Sequence, residues 1–150
     1  MQDFKEKVYA YCLDFVKNKI KLHNQQIEEA QQTANNETKS SAGDKYETTR
    51  AMMQIEIEKE QIRLLEAQKL LQTLFLIDIN KSNATVNLGS LVKTNKGLFF
   101  LAIGIGPVEI QQQKVFVISS ESPIGKQMWQ KLPYSNWMFN NALYEIERID

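Results

Sequence analysis

The chain has 150 residues and balances 18 Lys plus Arg against 18 Asp plus Glu, so no net charge draws it to DNA or a membrane surface. A single cysteine, Cys12, excludes an internal disulfide, and no run approaches the roughly 18 apolar residues of a membrane span. The polar start from Met1 to Lys7 has no apolar core behind it, which points to an unprocessed cytoplasmic protein.

Composition changes near residue 78. Before it there is no proline and only one glycine, Gly43; after it lie all three prolines and five of the six glycines. The chain therefore reads as α+β, with a helical part over 1-78 and a β-rich part over 79-150.

In the first part, Tyr9, Leu13, Val16, Ile20, His23, Ile27, Ala30 and Ala34 alternate steps of four and three, the heptad spacing of a seam between paired helices. The spacing predicts a helix from about Asp3 to Thr38. Met53, Ile57, Leu64, Ala67, Leu71 and Leu74 keep the same stepping in a second helix from about Lys45 to Thr73. Glu60 interrupts that stripe, and Ile55 and Ile62 widen it. Between the helices the polar stretch Asn35 to Asp44 supplies a reversal near Ser40 to Asp44, with Gly43 suited to the left-handed conformation that ends a helix. The expected product is an antiparallel coiled-coil hairpin, an arm on the order of 45 Å long at about 1.5 Å per residue. Its outer end must reach into solvent or a partner, or else two chains pair through their hairpins.

The second part alternates apolar runs with turns. Strands are expected over Asn87 to Lys93, Leu98 to Ile105, Lys114 to Ser119 and Ala142 to Ile149, with a hairpin turn at Thr94-Asn95-Lys96-Gly97. Ser122-Pro123-Ile124-Gly125 opens a short helix through about Lys131, with Ser122 as N-cap and Pro123 at the first helical position. The expectation is a small twisted antiparallel sheet packed on one helix, with Phe99, Phe100, Phe116, Trp129 and Trp137 in its core or rim.

Few residues offer chemistry. Asp44 and Glu47, three apart at the reversal, read first as an N-cap with its capping-box partner, stabilising the helix by about 0.5 to 2 kcal/mol, and also as a charged pair carried at an arm's tip. His23 lies on the seam without a second His or a Cys to complete a metal set, so it reads as a packed or boundary polar residue. Gly104-Ile105-Gly106 lacks the third glycine and following helix of a dinucleotide loop. Cys12 and His23 stand three helical turns apart, too far for a nucleophile and its base.

Gly43-Asp44-Lys45-Tyr46-Glu47 at the tip, Leu76-Ile77-Asp78 after the second helix, a Leu88-Gly89-Ser90-Leu91-Val92 strand and the run from Ile118 through Ser122-Pro123-Ile124-Gly125-Lys126 occur in one order. In that order the chain resembles the bacterial Gre transcript-cleavage factors over almost its whole length. The resemblance implies an N-terminal coiled-coil hairpin and a C-terminal domain of FKBP-like fold, and a protein that is not an autonomous enzyme. It would bind RNA polymerase through the secondary channel and present its acidic tip to the polymerase active site. Gly43, Asp44 and Glu47 match the family's G-D-x-x-E. By resemblance Asp44 is a metal contact, and Glu47 is a second contact or a water-orienting group, toward a Mg²⁺ shared with the polymerase; the chain has no cofactor of its own. Ser122, Pro123, Ile124 and Gly125 match the family's SPIG motif in the docking domain and stand as partner-binding residues.

Two departures accompany the match. The family's Asn-Ala-Glu-Tyr after the tip glutamate is Thr48-Thr49-Arg50-Ala51 here, so an acid is lost and Arg50 becomes a candidate contact for the RNA 3′ end. The family's Gly-Lys-x-x-Gly-Asp is replaced by Lys131 to Asn136. A channel-binding regulator or inhibitor without cleavage activity is the alternative, and a hairpin-mediated dimeric interaction protein is a further one. The expected state is a monomer or weak dimer, with no membrane partner and no sequence-specific DNA binding.

Overall fold

The computed structural model describes residues 2–37 and 43–150. Helix α1 spans Gln2–Glu37 and α2 spans Gly43–Phe75. The tyrosine hydroxyl of Tyr9 donates to the Leu74 carbonyl at 2.8 Å, and His23 bonds Glu60 at 2.6 Å. Lys19 and His23 lie beside Arg63, Ala67 and Leu70, and Gln31 and Asn35 further along α1 lie beside Arg50, Gln54 and Ile57, so the two helices run antiparallel.

Every residue assigned to the heptad seam is buried or half-buried, with Val16, Ala30, Ile57, Ala67 and Leu74 buried most deeply. Two expectations fail here. Ile55 and Ile62 do not widen the seam but are 53% and 60% exposed on the other side of α2. Glu60 does not interrupt the seam either; it is 1% exposed, within it. Gly43, expected to end the first helix in a left-handed conformation, is instead the first residue of α2. The rest of the reversal expected at Ser40 to Asp44, and the side chain of Asp44 with the cap expected from it, lie outside the described residues.

At its far end α2 closes with shorter-range bonds, Leu76 N to Thr73 O at 3.2 Å and Ile77 N to Leu74 O at 3.1 Å. Two compact units divide the chain: Asp14–Leu71 is one, and Met1–Leu13 with Gln72–Asp150 is the other.

The second unit carries six strands, β1 (Leu91–Thr94), β2 (Gly97–Ala102), β3 (Gly106–Ile110), β4 (Gln113–Ser119), β5 (Asn136–Phe139) and β6 (Ala142–Ile149). Helix α3 spans Pro123–Met128. The strands form one sheet in the order β3-β4-β2-β1-β6-β5.

The sheet is mixed rather than antiparallel, because β2 and β4 pair in parallel, Phe99 opposite Phe116 and Leu101 opposite Ile118. Gln111 and Gln112, both at positive φ (52° and 65°), make the tight turn that pairs β3 antiparallel with β4, and it is the second strand of this hairpin, β4, that docks beside β2 and so runs in β2's own direction, leaving β3 at the edge. Strands β3 and β5 were not anticipated: Pro107 in β3 argues against a strand except at an edge, and β3 is an edge.

The strand expected from Asn87 begins only at Leu91. Residues 87–90 make a turn instead, with Ser90 N donating to Asn87 O at 3.0 Å and Gly89 at φ +87°. A Cβ on Gly89 would stand 2.6 Å from Ile77 Cγ2, so both the conformation and the space require glycine.

Phe99, Phe100, Leu101 and Ala102 are buried in succession, which requires cover on both faces of β2. One face holds Val92, Phe99, Leu101, Met128, Trp137 and Ile146. Stacked pairs Phe99–Phe116 (5.1 Å) and Trp137–Tyr144 (5.5 Å) order its aromatic side. In the same unit Phe4, Val8 and Cys12 of α1 are buried, and so is Lys5, whose Nζ donates to the Lys81 carbonyl at 3.1 Å. Trp129, expected in core or rim, is 41% exposed.

Candidate functional site

Because α2 begins at Gly43, Asp44 and Glu47 are its second and fifth residues, three apart in the first turns of a helix, where its positive end favours carboxylates. Glu47 is exposed. Arg50 follows one turn on, and its guanidinium donates to the Tyr46 hydroxyl at 2.9 Å, which holds the cation along the helix surface. Arg50 also lines a cleft of about 380 Å³ with the carboxamides of Gln31, Asn35, Gln54 and Gln61 over buried Ile57. The helix thus brings Asp44, Glu47 and Arg50 into two consecutive turns.

A second cluster sits in the seam of the same unit. The Glu60 carboxylate accepts from His23 Nδ1 through Oε2 (2.6 Å) and from an Arg63 guanidinium nitrogen through Oε1 (2.7 Å). The Gln26 amide, turned with its nitrogen toward the acid, donates to both oxygens at 3.1 and 2.8 Å. Burial pushes the Glu60 carboxyl up, but the hydrogen bonds from His23 and Arg63 and their charge outweigh it and hold the acid below the ordinary carboxylate range. The signal for this cluster was in the sequence: an acid at a heptad position of one helix and a histidine at a heptad position of the other. Only the register of the two helices could bring them together.

The SPIG run belongs to the other unit, and its geometry is that of a capped helix start. Ser122 Oγ accepts from Gly125 N at 3.1 Å and donates to Ser119 O at 2.6 Å, while Pro123 supplies a first-turn residue that needs no N–H partner. A Cβ on Gly125 would meet the Ser119 carbonyl oxygen at 2.0 Å, so glycine lets α3 lie against the end of β4. Ile124 packs on the core. Of the four, Pro123 alone is exposed. The accessible surface beside the motif is a hollow lined by Ser120, Glu121, Lys126 and Trp129.

Cys12 is fully buried and its thiol is pushed up to about 12 by that burial, which suits packing and not nucleophilic chemistry. Among the described residues no three His, Cys, Asp or Glu side chains are grouped to hold a metal ion, and no helix is long and apolar enough to cross a membrane.

No family model matches this chain, and neither a curated protein nor a solved structure is significantly similar to it.

Proposed function

We propose that this chain is a Gre-like transcription factor acting on RNA polymerase through the secondary channel. Its hairpin would carry Asp44 and Glu47 to the polymerase active site, and its sheet domain, read as FKBP-like, would dock at the channel rim. What supports the reading is one juxtaposition: a G-D-x-x-E run in the first turns of the second helix of a seam-paired hairpin, on a chain whose other unit carries a capped SPIG helix.

The donor chemistry fits a hard cation. Asp44 and Glu47 offer carboxylate oxygens three residues apart, and Mg²⁺ takes only one or two carboxylates from a protein while keeping several waters. The residues that would hold the ion are these two together with those of the polymerase, and when bound it would stabilise the attacking and leaving oxygens of phosphodiester hydrolysis. The hydrolysis itself would be the polymerase's.

One observation favours the second reading, a channel-binding regulator without cleavage activity. Arg50, fixed by its bond to Tyr46, puts a cation one turn beyond Glu47, where it would compete with a metal or pair with phosphate at the RNA 3′ end.

Purified protein added to backtracked polymerase complexes tests both. The first reading expects transcripts shortened from the 3′ end, lost in the Asp44→Ala, Glu47→Ala double variant while binding persists. Binding without shortening supports the regulator, and absence of binding refutes both.

A further inference from the structure

Five aromatic rings run in unbroken contact along one face of the sheet. Phe116 on β4 stacks on Phe99 of β2 at 5.1 Å, Phe99 meets Tyr144 on β6 at 6.3 Å, and Tyr144 meets Trp137 and Phe139 on β5 at 5.5 and 6.1 Å. Phe99 and Trp137 are buried, while Phe116, Tyr144 and Phe139 are only half-buried, so three rings of the row keep solvent contact. Trp137 also holds an indole N–H that is buried without a hydrogen-bond acceptor among the described residues, where buried polar groups are ordinarily paired.

Charge along the row says what it suits. Lys114 Nζ lies 4.8 Å from the centre of the Phe116 ring, and Lys131 Nζ lies 5.7 Å from that of Trp137, so each end of the row carries a cation. Glu109, opposite Lys114 in the β3–β4 register, shares this face, but Lys114 turns to the ring. The other acids are placed elsewhere. Glu145 stands opposite Asn136 on the reverse face, where Glu147 reaches Lys93 at 3.6 Å; Asp150 pairs with Arg148, and Glu121 lines the hollow beside α3 with Lys126. Two cations against one acid give the aromatic face a positive balance.

We propose that this face binds a single-stranded nucleic acid, whose bases stack on Phe116, Tyr144 and Phe139 while its phosphates meet Lys114 and Lys131. Every base has a π-face, so such a site reads little sequence, and two lysines make it weak and salt-dependent. A duplex keeps its bases in its own stack and cannot use the rings. The inference stands apart from the polymerase reading, since it uses neither Asp44 nor Glu47 and needs no polymerase.

Fluorescence anisotropy of a labelled single-stranded RNA of about 12 nucleotides, titrated with the full chain and no polymerase, tests it. The expected Kd is roughly 1 to 100 μM at about 50 mM salt, weakening about sevenfold by about 200 mM, the slope of two neutralised phosphates. Lys114→Gln with Lys131→Gln removes most of that salt dependence and weakens binding at least about tenfold. Tyr144→Leu keeps the site apolar but takes away a ring, and weakens binding about fivefold with the salt slope unchanged. Circular dichroism shows which variants stay folded, and the lysine pair, which is outside the buried core, keeps the test readable if Tyr144→Leu does not. No binding up to about 500 μM overturns the proposal, including the case in which a protein segment covers the row. So does binding indifferent to the lysine pair, which would place the RNA elsewhere on the chain, and so does a duplex of the same sequence bound as tightly.

Discussion

His23 on α1 and Glu60 on α2 meet at 2.6 Å across a seam otherwise made of apolar side chains, with Glu60 1% exposed and Arg63 and Gln26 completing its shell. Such a layer is costly to desolvate and valuable for register: sliding one helix by a heptad takes His23 and Gln26, the donors on α1, away from a buried carboxylate.

Removing one partner should therefore cost more than removing the set. Glu60→Ala is expected to destabilise the chain by about 2 kcal/mol, whereas Glu60→Leu with His23→Leu should be neutral or stabilising by up to about 3 kcal/mol. Thermal unfolding followed by circular dichroism checks this. A double variant less stable than the single would mean that the cluster is a net source of stability.

The same cluster sets an acid limb. The folded Glu60 carboxyl is held below its unfolded value, so between the two values the unfolded chain binds more protons and stability falls as pH falls. Its contribution is present at neutral pH and is lost as pH drops through the folded value. Glu60→Gln should flatten this limb, measured as unfolding free energy against pH. An unchanged limb would assign acid sensitivity to other carboxylates.

At the SPIG helix, space and capping make separable demands. Gly125→Ala drives a Cβ to 2.0 Å from a backbone carbonyl that cannot move without displacing β4, and should cost about 2 to 4 kcal/mol. Ser122→Ala removes the cap and the bond to the Ser119 carbonyl without introducing a clash, and should cost about 1 kcal/mol. Denaturant unfolding of both variants gives the order; equal costs would refute the steric account.

Cys12 should be silent while the chain is folded. With its thiol pushed up to about 12, the thiolate fraction near neutral pH is about a thousandfold below that of an unfolded cysteine. Labelling with a thiol reagent is expected only on unfolding, and fast labelling of the native chain would mean that the start of α1 opens readily.

Periodicity carried a long way here. Heptad spacing by itself determined two helices and which face of each lies in the seam, and the polar reversal between them determined that they run antiparallel, because a period near 3.5 gathers its apolar residues on one face. Ser-Pro at 122 and 123 determined the start of α3, since the cap and the proline act within a single turn. Alternation and turn residues found four of the six strands. What sequence could not decide was what depends on residues far apart along the chain. The place of β4 beside β2 rests on which edge a hairpin docks against, not on the hairpin itself. The meaning of Glu60, an interruption in one dimension and a satisfied ion in three, rests on the histidine fourteen residues beyond Tyr9 in the opposite helix. Local signals act through neighbours in the chain and can be read there; register, sheet order and the partner of a buried charge are set by neighbours in space.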